Sequence, residues 1–159
     1  MTKDTDELAD AVRQVRQGSV GWHIQRLAGQ LDRAMNDALA EHGLNVQSFA
    51  VVMMLIENEG LSQRQIGQRF SAPAYAISRA IDGLERDGFL ERRIDPASRR
   101  SNSVHATQKA KRLAPTLFKI VADVNARLLA RLGEAERALM IGLLAGVLAD
   151  NDLGQTKES

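Results

Sequence analysis

Residues 70–107 read FSAPAYAISRAIDGLERDGFLERRIDPASRRSNSVHAT, and the punctuation of this stretch decides the fold. Ser71, Ala72 and Pro73 suit a tight turn that ends one helix and opens the next. Ile77, Ile81 and Leu84 then recur at steps of four and three, the inward face of a helix running to Asp87. Ala74, Tyr75, Ser78, Arg79 and Asp82 fall on its opposite face. Upstream, Ser62 opens a short helix through a Ser-x-x-Gln capping box to Gln65, with Leu61 and Ile66 spaced as a staple and Ile66 and Phe70 facing inward. Two short helices joined by a tight turn predict a helix-turn-helix. After Gly88 the pattern changes. Glu91 to Ser103 contains only Ile94, Pro96 and Ala97 as apolar members, so it cannot build core; with Asp95-Pro96 as the turn and Val104 resuming an extended pattern, it predicts a β-hairpin bearing Arg92, Arg93, Arg99 and Arg100.

Outward from this segment the chain is helical. Val20, Ile24, Leu27, Leu31, Met35 and Leu39 give a stripe for a helix from about Ser19 to His42. Asn45 is placed to cap the next helix, whose run Phe49, Val52, Met53 and Ile56 is apolar almost all round, as expected at the centre of a domain. Thr107 can cap a fifth helix carrying Leu113, Leu117, Val121, Val124, Leu128 and Leu132, with Pro115 as an expected kink. Glu134 and Glu136 suit the positive end of a sixth helix, striped by Met140, Leu143, Leu144, Val147 and Leu148. Gly43, Gly60, Gly88 and Gly133 each follow a helical stretch, as left-handed terminators would.

The 159 residues, 44% hydrophobic and 26% charged, fit one globular domain. The longest nearly unbroken apolar stretch, Ala138 to Ala149, is short of the ~18–20 residues that span a bilayer, so no membrane partner is expected. The acid-rich opening from Met1 to Asp10 lacks the layout of a secretory signal, and a cytoplasmic location follows. With no cysteine, disulfide frameworks, thiolate zinc sites and thiol redox sensing are excluded. His23, His42 and His105 lie far apart and form no metal or catalytic motif, and there is no Gly-rich phosphate loop or Gly-x-Ser-x-Gly elbow; an enzyme is not expected, nor a cofactor or metal.

The formal net charge of +1 hides an asymmetry: residues 62–112 hold eleven Lys and Arg against five Asp and Glu, and the remainder holds ten against fifteen. A basic middle third between acidic flanks is the footprint of a module that meets a polyanion, or else an ordinary solvated basic face. A helix fits the major groove of duplex DNA, and Tyr75, Ser78 and Arg79 stand where such a helix reaches base edges, with Pro73 or Ala74 within reach of a thymine methyl. Ser62, Arg64 and Ala72 are further candidates for DNA contact. Arg79 could instead pair with Asp82 or Glu85 on its own helix. Arg99 and Arg100 at the hairpin tip suit a narrow minor groove, the alternative being a solvated surface loop.

The run Ser78 to Gly88, Ser-Arg-x-x-Asp-x-Leu-Glu-x-x-Gly, followed by the basic hairpin from Leu90 through Asp95-Pro96-Ala97-Ser98-Arg99-Arg100-Ser101 to Thr107, resembles the MarR family of bacterial transcription regulators. The resemblance reaches from about residue 19 to 150. It implies a mainly α fold, a winged helix-turn-helix with a small β-hairpin wing, flanked by N- and C-terminal dimerisation helices: one domain over 1–159, with dimerisation helices at 19–42 and 107–150 and the winged core at 45–106. It implies a homodimer that binds a pseudopalindromic operator in double-stranded DNA, most often as a repressor, with Arg100 in the minor groove. Ser98 stands where an Asp is usual, leaving the wing more basic, and Ala106 replaces a larger apolar residue. Members often release DNA on binding a small aromatic or phenolic ligand between dimerisation helices and winged helix. Trp22, His23 and Arg26, with Phe49 and Met53 on the neighbouring helix, are the candidate residues for it; the alternative is that they are packing and surface residues. A dimeric helical interaction protein of the same fold that has lost DNA binding is the rival reading.

Overall fold

The computed structural model describes residues 2–70, 73–95 and 98–150, with side chains described over 5–70, 73–94 and 102–149. Among the described residues, seven helices and a small sheet appear in the order α1 (Thr2–Gly18), α2 (Val20–Ala40), α3 (Val46–Glu57), β1 (Leu61–Ser62), α4 (Gln63–Phe70), α5 (Ala74–Arg86), β2 (Leu90–Asp95), β3 (Ser98–Ala106), α6 (Gln108–Leu128) and α7 (Glu134–Asp150). The mainly helical winged fold expected from the sequence is present. The chain divides into two compact units, residues 1–124 and 125–159.

Local chemistry sets the boundaries in the first unit. Ser19 caps α2 by accepting the Trp22 N–H at 3.2 Å. At α3, Asn45 Oδ1 accepts the Ser48 N–H and Ser48 Oγ accepts the Asn45 N–H, both at 2.8 Å, which satisfies two orphan donors reciprocally. The cap expected at Ser62 also forms, with Ser62 N–H donating to Gln65 Oε1 at 2.9 Å and Gln65 N–H to Ser62 Oγ at 3.3 Å. At the end of α5, Gly88 takes φ +75°, and the Gly88 and Phe89 N–H groups return to the carbonyls of Glu85 and Leu84 at 3.0 and 2.8 Å. This is a Schellman closure, which a residue with a Cβ enters only under strain.

The core is built where these elements meet. Ile77, Ile81 and Leu84 of α5 are buried as their spacing predicts, beside Ile66 of α4, Leu90 of β2, Val104 of β3 and Leu117 of α6. In α3 the fully covered residues are Val51, Val52 and Leu55, while Phe49, Met53 and Ile56 are only partly buried. The helix is apolar on every side, so spacing alone does not fix which side faces inward. Met35 and Leu39 anchor the end of α2 in the core, but its beginning is open, with Val20 71% and Ile24 46% exposed.

The sheet order is β1-β3-β2, all antiparallel, with Leu61 opposite Val104 and Leu90 opposite Ala106. The two-residue strand β1 is not foreshadowed by the sequence pattern: Ser62 both pairs with Ser103 and caps α4. Ala106 is 4% exposed, so the base of the wing is closed despite its small side chain. Thr107 ties that base down, its hydroxyl donating to the Gly88 carbonyl at 2.8 Å and accepting the Ala110 N–H at 3.4 Å.

Three further features depart from expectation. Residues 2–18 form a helix, α1, where the apolar spacing predicts the first helix only from Ser19. Helix α6 holds Pro115 inside it, as the sequence places it, but stops at Leu128, a turn before Leu132. Gly133 is not left-handed; lying between α6 and α7, it opens the latter, its N–H donating to Glu136 Oε2 at 2.7 Å. The second unit's α7 buries none of its described residues, and Leu139, Ile141, Leu143 and Leu148 are each more than 60% exposed.

Candidate nucleic-acid interface

Alternation along β2 explains the organisation of the interface. Side chains of a strand alternate between faces, so Leu90 and Arg92 share one and Glu91 and Arg93 the other. The first face carries Arg92 to α5, where its guanidinium bonds both Asp82 and Glu85, while its backbone N–H donates to Glu85 Oε1 at 3.0 Å. The Arg92 side chain is 23% exposed. Burial opposes its charge, but the hydrogen bond to Asp82 and the charge of Glu85 outweigh burial and raise its pKa above the ordinary guanidinium value. On the second face Arg93 pairs with Glu91, and at the end of α5 Arg86 pairs with Asp87 at 3.3 Å.

The consequence falls on Arg79. Its alternative partners on α5, Asp82 and Glu85, both belong to Arg92, and among the described residues Arg79 has no ion pair. Arg64 and Arg69 on α4 are likewise exposed and without an ion pair among the described residues. The acids of the basic segment are therefore drawn to the wing side, and uncompensated positive charge is left on the helix-turn-helix.

Other sequence-nominated residues distribute as follows. Pro73 and Ala74 are exposed at the start of α5, Tyr75 is 68% exposed, and Ser78 is half-buried. The Ser62 hydroxyl is engaged by Gln65. Ala72 lies outside the described residues, as do the side chains of Ser98, Arg99 and Arg100, although the backbone of the last three belongs to β3. Tyr75 and Arg79 border a hollow of about 390 Å³ together with Asn45, Gln47 and Ser48. The sequence named Asn45 only as a helix cap and did not nominate Gln47 or Ser48; the Asn-x-x-Ser cap is the signal that places them there.

The aromatic-basic cluster has different neighbours from those expected. The guanidinium carbons of Arg16 and Arg26 lie 5.5 and 5.3 Å from the centre of the Trp22 ring, and His23 Nε2 is 2.9 Å from the Gln17 carbonyl. These contacts fasten the junction of α1 and α2. Phe49 and Met53 instead line a groove of about 610 Å³ with Met54, Phe70, Phe118 and Val121; Arg69 is its cation and Glu57 its carboxylate, and Trp22, His23 and Arg26 do not line it.

Among the described residues no helix is long and apolar enough to cross a membrane. The MarR family model matches residues 42–101, from the turn between α2 and α3 into β3. The fold is shared with Escherichia coli MarR, solved as a mutant complexed with operator DNA: TM-score 0.72, 23% identity, 81% of this chain and 93% of that one. CouR from Rhodococcus jostii RHA1, solved bound to p-coumaroyl-CoA, superposes with TM-score 0.73 at 26% identity over 87% of this chain and 97% of its own. The HTH-type transcriptional regulator YkoM of Bacillus subtilis is 36% identical over 104 residues, 65% of this chain and 68% of YkoM. Identity at that level over two thirds of a regulator, on a matching wing and helix-turn-helix, makes this chain a member of the MarR family of transcription regulators.

Proposed function

We propose that the chain is a homodimeric repressor that occupies a pseudopalindromic operator, with α5 in the major groove and the hairpin in the minor groove. The observation that carries this reading is the sequestering of Asp82 and Glu85 by Arg92, which leaves Arg79 unpaired among the described residues, beside the exposed Tyr75 and the half-buried Ser78. Tyr75, Ser78 and Arg79 take the bases or the phosphates at the groove edge. Arg64 takes the backbone, and Arg99 and Arg100 enter the minor groove. Dimerisation is supported by the apolar side chains left open on α2 and α7, more than a monomer in water leaves uncovered. Twofold symmetry sets the two α5 helices ~34 Å apart, one turn of DNA. A dimer on that footprint excludes polymerase from the sites it covers, hence repression.

The effector in this reading is a small aromatic acid or its thioester. It enters the groove at Phe49 and Met53, where Arg69 rather than Arg26 meets its negative charge. Because Arg69 lies on α4, occupancy acts on the helix-turn-helix directly. A ~10-fold change in operator affinity needs only ~1.4 kcal/mol of differential binding.

Binding to native upstream duplexes across a salt series tests the core of the proposal. Neutralising ~6–8 phosphates gives a slope of about −5 to −7 in log K against log salt. Arg79→Ala lowers affinity, whereas Lys3→Ala on α1 does not. Absence of salt-dependent binding to any native duplex refutes the repressor and favours the interaction protein.

A further inference from the structure

We propose that Ile94 is a shape-reading residue of the wing, an apolar wedge that packs against deoxyribose in the wall of a narrow minor groove; this rests on the placement of α5 and the hairpin argued above. Most of the large apolar side chains left open lie on α1, α2, α6 and α7, outside the winged core. Within residues 45–106, and among the described residues, two remain: Tyr75 at 68% and Ile94 at 72% exposed. One sits on the helix assigned to the major groove and the other on the hairpin assigned to the minor groove. Exposure alone marks nothing. The direction of the side chain does.

Alternation puts Leu90, Arg92 and Ile94 on one face of β2. Leu90 is buried at the base and Arg92 reaches α5, so this is the face that looks toward α5. The pair Ile94 and Asn102 is the last before the register shifts at Asp95, so the alternation holds as far as Ile94. That places Ile94 ~7 Å further out than Arg92 on the same face, opposite the exposed Asn102. With α5 in one groove and the hairpin in the next, the sugar–phosphate strand that separates the grooves passes between them. Ile94 therefore faces the inner wall of the minor groove.

Chemistry names the contact. Arg92 is held by Asp82 and Glu85, and Arg93 by Glu91, so from Leu90 to Ile94 the strand presents phosphate with no cation that lacks an ion pair. What it presents instead is a branched hydrocarbon. Phosphates and the base edges of the groove floor are polar, whereas the C–H faces of deoxyribose along the walls are apolar. In a narrow groove, as A·T-rich DNA forms, the walls close on an inserted side chain; in a wide one they stand off. Ile94 thus adds a preference for A·T flanks without a base-specific hydrogen bond.

Ile also favours a strand, and the variants separate that role from the contact. Full-length Ile94→Val, Ile94→Thr and Ile94→Ala are compared with the parent by thermal unfolding and by fluorescence anisotropy across a salt series. The duplex is the native upstream fragment that the parent binds most tightly, made with the ends of its footprint in A·T, G·C or inosine·C, the last lacking the guanine 2-amino group in the minor groove. Thr keeps the branch that suits a strand and loses the apolar end. On A·T flanks Val stays near the parent, while Thr and Ala weaken binding about 10-fold with an unchanged salt slope, and the unfolding midpoint of the Thr variant does not move. The loss persists on inosine·C and shrinks on G·C. A Thr variant that binds like the parent, a loss that follows a fall in the midpoint, or an equal loss on all three flanks overturns the proposal and leaves the repressor standing. A parent that binds no native duplex removes the repressor and this contact with it.

Discussion

Replacing Arg92 by Met keeps the aliphatic stem against the helix and removes the group that joins wing to α5. Two carboxylates then lose their partner. Asp82 is 61% exposed, so its share is that of a surface pair, about 0.5 kcal/mol. Glu85 is 37% exposed and keeps the Arg92 backbone N–H, so losing the guanidinium there costs about 1–1.5 kcal/mol. The total of about 2 kcal/mol lowers the melting midpoint by ~4–8 °C for a chain of this size. The effect on DNA binding is separate. Once released, Asp82 stands three residues from Arg79 on one helix face and competes with phosphate for it, and each subunit loses a positive charge near the duplex. Operator affinity should fall about 10-fold. Calorimetry at fixed protein concentration and fluorescence anisotropy at fixed salt read the two effects. The control is Asp82→Asn/Glu85→Gln, in whose background Arg92→Met should cost much less, because its partners are already gone. If the full loss of stability persists in that background, Arg92 acts through packing and the clamp is wrong.

The remaining expectations concern the caps and the ion pairs. Thr107→Val removes a hydroxyl that donates to Gly88 and accepts from Ala110, and should lower stability in urea by about 1–2 kcal/mol with an unchanged slope; no change would mean that the wing base is held without it. Gly88→Ala, at φ +75°, should cost about 1 kcal/mol, and a neutral result would rule out the left-handed closure. Glu59 is held below its ordinary 4.5 by a hydrogen bond from Lys111 and by the charge of Lys111. Its stabilisation is therefore present above the unfolded carboxylate value and lost as pH falls through the lower folded value. Lys111→Met should be less stable than the parent at neutral pH, the two should converge once the pH falls below the lowered folded value of Glu59, and added salt should narrow the gap; a gap independent of pH contradicts the pair.

What was legible in the sequence was what is local. The caps at Asn45 and Ser62, the Ile77, Ile81, Leu84 stripe and the closure at Gly88 each depend on residues within one or two turns, and all are found in place. The contacts that were not legible depend on the phase of one element against another. Arg92 reaches α5 only because strand alternation puts it on the same face as Leu90, and spacing along the chain offered Arg79 as a nearer partner for Asp82. β1 is two residues long and pairs with a strand some forty positions on, so neither length nor pattern announced it. Trp22, His23 and Arg26 formed a patch by adjacency, but helix geometry turns Trp22 and His23 back toward Arg16 and Gln17. The groove's cation is instead Arg69, brought beside Phe49 and Met53 by the fold of α4 against α3 and α6. Helix α1 is inconspicuous in the sequence because its larger apolar residues, Leu8, Val12 and Val15, are sparse among its charges.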